Sequence, residues 1–163
     1  MKFSWAKVIV SVILVVWYFA MPQYSFGGWG EHPECGTIWE HLLYPLSHAN
    51  VWHLAANVLC LWMIPCELHL LSATFLSVLC SFLPCFIPEA TCGFSGVLFA
   101  IVGMSWGRVH RFKDMIWRNK WFLIIPIFLP HVNALLHVYC LVAGYCVGRL
   151  GKLGKVGRLG DWL

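Results

Sequence analysis

Four side chains in this sequence have the types and spacing to do chemistry together. His53 and Asn57 stand four apart in SHANVWHLAANVLCLW, so a helix would present both on one face. Ser95 lies in TCGFSGVLFA, between Gly93 and Gly96, where a long apolar run begins. His137 stands in HVNALLHVYCLVAGYCVG. A serine hydroxyl is a poor nucleophile until a base takes its proton, and histidine is the usual base. An oxyanion developing on a substrate needs donors already in place, which a histidine and an asparagine amide supply. Backbone N–H groups at the start of a helix add further donors.

The glycines fit this chemistry better than they fit a plain helix. Each would cost a helix interior about 1 kcal/mol relative to alanine. Gly93 and Gly96 are expected to let another helix and a substrate backbone come close to Ser95. Cys140, Gly144 and Gly148 follow His137 at spacings of three, seven and eleven, a narrow face suited to a partner helix. Phe99, one turn after Ser95, is placed to stack under the imidazole of His137. Any one of these residues also fits simple packing; the four together, at a common depth, do not. The remaining histidines, His32, His41, His48, His69, His110 and His131, are expected in loops or near interfaces, solvated or facing headgroups. His48 is placed to order the end of the helix that carries His53.

Other hydrolytic chemistries are excluded by pattern. The chain has no HExxH helix for a zinc protease. Its two aspartates, Asp114 and Asp161, both lie in basic segments. A soluble hydrolase elbow reads GxSxG, and Val97 stands where the last glycine belongs. No carboxylate is placed to orient His137, so the apparatus reads as a dyad, with no metal or cofactor.

The elements that must position these residues are membrane helices. The 163 residues are 60% hydrophobic and 11% charged, with a mean hydropathy of +0.74. Soluble domains carry about 25% charged residues. Apolar runs fall at about 3–21, 48–65, 66–84, 94–109, 117–130 and 132–149, which at roughly 20 residues per crossing predicts an all-α, six-span polytopic bundle. Because 51–64 and 117–130 are short, a five-span reading is the alternative. Val8 to Ala20 follows Lys2 and Lys7 like a signal peptide, but no small-residue cleavage site follows it.

Charge orients the bundle. Every lysine and arginine lies at the N-terminus, in 108–120, or from Arg149 onward. The segments expected on the opposite side carry Glu31, Glu34, Glu40 and Glu89 and no cation. The positive-inside rule then puts both termini in the cytoplasm and Ser95 near the outer face. Residues 1–150 form the membrane domain. Residues 151–163 are a basic, glycine-rich cytoplasmic tail, expected to lie flexibly on anionic headgroups through Lys152, Lys155 and Arg158. Cys60, Cys66, Cys80, Cys140 and Cys146 read as small packing residues. Cys35, Cys85 and Cys92 fall on the outer side, where a disulfide between two of them is open.

The sequence resembles the rhomboid intramembrane serine proteases over about residues 40 to 150. The family's GxSG appears as Gly93-Phe94-Ser95-Gly96, its HxxxN as His53 to Asn57, and its span-six histidine as His137. The resemblance implies the minimal six-helix bacterial form in a prokaryotic inner membrane, with Ser95 as nucleophile and His137 as general base and then acid. It implies His53 and Asn57 as oxyanion-hole donors, and single-span membrane proteins in the lipid bilayer, not nucleic acid, as partners. Catalytically inactive relatives bind membrane clients without cutting, which is the alternative function; such proteins generally lack the serine or the histidine. The sequence departs from the family at Cys140, where glycine is typical, and at Phe99, where tyrosine is frequent. Its 22–40 loop is short and lacks the usual Trp-Arg pair.

Overall fold

A computed structural model describes residues 4–25, 37–64, 70–83, 91–109 and 133–156, with isolated positions at 113, 114, 117 and 120. Among these residues the protein is all-α, with six helices: α1 (Trp5–Ala20), α2 (Ile38–Leu43), α3 (Val51–Met63), α4 (Leu70–Ser81), α5 (Ser95–Val109) and α6 (Ala134–Val156). Five of them lie on expected apolar runs. The expected span at 117–130 lies outside the described residues.

Local chemistry starts four of the helices where a side chain can accept the free N–H groups of the first turn. Ser4 caps α1 through the Lys7 N–H, and Asn50 caps α3 through the His53 N–H at 2.9 Å. Asn133 caps α6 through the Leu136 N–H at 2.9 Å. The short helix α2, in a segment read as a plain connection, has a capping box: Thr37 accepts from the Glu40 N–H, and the Glu40 carboxylate accepts from the Thr37 N–H.

Helix α5 is the centre of the bundle. Val97, Leu98, Phe99, Ala100, Ile101 and Met104 are all buried, so the helix is apolar nearly all round because it is surrounded. Helix α6 lies against it, and small residues let the two backbones touch. A Cβ on Gly144 would overlap the Ala100 carbonyl, one on Gly148 the Met104 carbonyl, and one on Gly103 the Leu141 carbonyl. Positions advance together along the two helices, so α5 and α6 run parallel. Helix α4 packs on both of them, and α3 packs on α1 and α5.

The outer surfaces are apolar. Trp5, Val12, Val16 and Phe19 on α1, Trp52 and Met63 on α3, and Leu71 and Phe75 on α4 are exposed. Apolar exposure on this scale fits a surface that faces lipid or another protein. Among the described residues, one window, Ala134–Gly151, is long and apolar enough to cross a membrane alone; α1, α3 and α4 are shorter apolar helices.

Several expectations change. His41 and His48 are buried rather than solvated. His41 Nδ1 pairs with Ser81 Oγ at 2.8 Å, and its ring stacks on Phe82, because α2 lays this face on α4. Lys7 is also buried. Its ammonium donates to the Ile64 carbonyl at 2.5 Å, where α3 ends with unpaired carbonyls and a negative dipole end. Helix α6 continues six residues beyond Leu150, through half of the expected tail, and 157–163 lie outside the described residues. Once α6 is nucleated, each added residue gains a backbone bond, which outweighs its glycines. Cys92 is a free thiol; Cys35 and Cys85, and likewise His32, His69, His110 and His131, lie outside the described residues.

Candidate active site

Ser95 is the first residue of α5, and His137 stands in the first turn of α6. Because the two helices are parallel and closely packed, the side chains meet at the same end of the pair. Ser95 Oγ and His137 Nε2 are 2.8 Å apart, although 42 residues separate them in the chain. For the serine to donate to Nε2, the neutral imidazole must carry its proton on Nδ1. Nδ1 is buried and has no hydrogen-bond partner among the described residues, so no acceptor there sets the ring's orientation. Stacking does so instead: the Phe99 ring lies under the imidazole with centroids 4.3 Å apart and planes 7° from parallel. On the opposite side of the pair from Phe99, Asn133 Nδ2 donates to Thr91 Oγ1 at 2.8 Å and ties the segment before α5 to the start of α6.

The turn into Ser95 depends on Gly93. Its φ is +119°, a region that side-chain-bearing residues rarely adopt, and its N–H donates to the Tyr44 carbonyl at 2.8 Å. His53 and Asn57 reach the site at this glycine. A Cβ there would lie 2.6 Å from His53 Cε1, 2.8 Å from His53 Nε2 and 3.5 Å from Asn57 Nδ2. Helix α3 therefore brings both polar side chains against the turn just before the serine. Asn57 is buried, and one of its amide hydrogens goes to the His53 carbonyl at 3.1 Å. A primary amide has two hydrogens, and the second has no partner among the described residues. The His48 ring packs edge-on against His53 with centroids 5.2 Å apart.

Gly96 lies where neighbouring helices come close. A Cβ there would lie 2.5 Å from Ser77 Oγ, 3.2 Å from the Tyr44 hydroxyl and 3.4 Å from Cys140 Sγ. Its bare backbone makes room for a buried polar cluster of Tyr44, Ser77 on α4 and Cys140 on α6. Sequence reasoning missed this cluster, and it missed Thr91 and Asn133. An asparagine just before an apolar run was a readable cap signal for Asn133. Tyr44, Ser77 and Thr91 carried none.

Parallel helices that bring a serine and a histidine into hydrogen-bond reach, inside an apolar-surfaced bundle, define an all-α protein with a nucleophile–base geometry. The Rhomboid domain matches residues 35–153, from before α2 to near the end of α6, and the chain belongs to the rhomboid family. All of Ser95, His137, His53, Asn57, Gly93, Gly96 and Phe99 fall inside the match. No curated protein matches the chain. It is thus a rhomboid-like intramembrane protein.

Proposed function

We propose that this chain is a serine endopeptidase that cleaves single-span membrane proteins within the bilayer, near its outer face. The observation that carries the proposal is the 2.8 Å pairing of Ser95 Oγ with His137 Nε2 over the Phe99 ring. His137 takes the hydroxyl proton as Ser95 attacks the scissile carbonyl. The oxyanion forms beside Gly93, where the Asn57 amide, His53 and the backbone N–H groups at the start of α5 are the available donors. His137 then gives the proton to the leaving amine, which departs as the C–N bond breaks. Water, deprotonated by the same imidazole, hydrolyses the acyl-enzyme ester and releases Ser95.

The proposed setting is a prokaryotic inner membrane, crossed six times with both termini in the cytoplasm. The parallel course of α5 and α6 supports it, because the chain leaves α5 at one end of the pair and begins α6 at the other. The bond from Lys7 to Ile64 also supports it, by placing the start of α1 beside the end of α3. On this arrangement the basic segments share one side, and Ser95 and His137 lie near the other.

A fluorophosphonate probe and one transmembrane substrate test the proposal. Wild type should be labelled and should cleave; Ser95→Ala should do neither. Because the pair acts as a unit, Ser95→Ala, His137→Ala and the double variant should fall to one common background. Cleavage by Ser95→Ala near the wild-type rate ends the protease reading. Client binding without cleavage by wild type would favour an inactive rhomboid-like protein.

A further inference from the structure

Tyr44 lies just after α2, far from Ser95 in sequence, yet it bonds Gly93 and its hydroxyl lies 3.2 Å from where a Cβ on Gly96 would stand. Its carbonyl accepts the Gly93 N–H at 2.8 Å. Its hydroxyl donates to the Ser77 carbonyl at 3.1 Å and stands 2.5 Å from Ser77 Oγ. That leaves the Ser77 hydroxyl to donate to Tyr44, while the Cys140 thiol donates to Ser77 Oγ at 3.6 Å. Cys140 is one turn beyond His137 on α6. A single chain of polar contacts therefore runs from the turn before the nucleophile, under Gly96, to the helix that carries the base.

None of this is surface chemistry. Tyr44, Ser77 and Cys140 are each 0% exposed. Burial, more than any neighbour, holds the Tyr44 hydroxyl well above the ordinary phenol pKa, so it remains a protonated donor. Buried polar groups must be paired to be tolerated, and a fully paired network fixes one arrangement of the elements that supply it. Gly93, at φ +119°, shapes the turn into Ser95, and the Tyr44 carbonyl bonds its N–H there.

We propose that Tyr44 is a positioning residue for Ser95: it grips the serine turn through Gly93 and, through Ser77 beneath Gly96, sets that turn against the helix bearing His137. The proposal rests on the protease reading for its kinetic consequence, but not for its structural one. Tyr44 does not touch substrate. Its effect must appear in how well Ser95 and His137 are aligned.

Tyr44→Phe tests this, because it keeps the ring and the carbonyl and removes only the hydroxyl. The turnover of a transmembrane substrate should fall roughly tenfold with KM little changed, the scale of one net hydrogen bond. Fluorophosphonate inactivation per folded molecule should slow by the same factor. Ser77→Ala should match it, and the double variant should be no worse than either single one, since both remove the same Tyr44–Ser77 link. A merely structural tyrosine would lower the melting temperature and leave the rates per folded molecule at wild type; that result overturns the proposal. If wild type neither cleaves nor labels, the protease reading fails, and the 15N resonance of His137 Nε2 decides the positioning claim on its own. A shift of that resonance in Tyr44→Phe supports the claim, and an unchanged resonance overturns it.

Discussion

The Asn133 amide donates to the Thr91 hydroxyl at 2.8 Å, and each of these residues stands four residues ahead of one member of the Ser95–His137 pair. Asn133 also caps α6 through the Leu136 N–H. One side chain thus starts the helix of the base and sets its height against the turn of the nucleophile. Thr91→Val removes the tie and keeps the cap, and should cost about 1 kcal/mol of stability with a several-fold loss of turnover. Asn133→Ala removes both and should cost about another 1 kcal/mol. Thermal unfolding and steady-state cleavage read the two effects separately. A silent Thr91→Val would show that the tie does not set the height.

The proposed oxyanion donors and the turn beside them should fail in different ways. Asn57→Ala removes one donor while leaving the fold, and turnover should drop roughly a hundredfold on the scale of a lost oxyanion contact. Gly93→Ala keeps every reactive group but places a methyl 2.6 Å from His53 on a backbone at φ +119°. It should abolish cleavage and lower the melting temperature as well. Cleavage by Asn57→Ala at the wild-type rate would take Asn57 out of the site.

The α5–α6 seam should be the least tolerant surface of the bundle. A side chain at Gly144 meets the Ala100 carbonyl, and backbone on two packed helices cannot move aside cheaply. Gly144→Val should therefore unfold the protein or lower its melting temperature by several degrees, with a loss of about 1–3 kcal/mol. Gly151, on the same helix, has nothing within 4 Å of its Cβ position. There Gly151→Ala should stabilise by about 0.4–1 kcal/mol through helix propensity and a less flexible unfolded chain. Equal responses at the two sites would contradict the packing described.

Sidedness can be read with single cysteines. Ile38→Cys, on the exposed face of α2, should react with an impermeant maleimide applied outside, above the background of the native thiols. Lys113→Cys should react only after the membrane is opened. Labelling of position 113 from outside intact cells would break the six-span topology. Lys7→Met offers a second measurement: with the Ile64 carbonyl left without its buried donor, the variant should lose about 1–3 kcal/mol of stability.

What the sequence determined by itself was local. Apolar runs placed five helices, and the fourfold spacing of His53 and Asn57 put both on the α3 face that reaches Gly93. The caps at Asn50 and Asn133 were readable for the same reason: a side chain bonding an N–H three residues away depends on nothing distant. The tertiary structure decided everything that required two surfaces to meet. That α2 is a helix was open to a reader of TIWE, but that it buries His41 against Ser81 was not, since a histidine in a polar segment looks solvated until a neighbour covers it. Lys7 counted as a charge near the cytoplasm; only the end of α3, more than 50 residues later, turns it into a buried cap. Tyr44 left no mark in the sequence at all. A tyrosine has no local preference for two glycines beyond the next helix, and its place is fixed by Ser77 and Gly93, which packing alone brings to it.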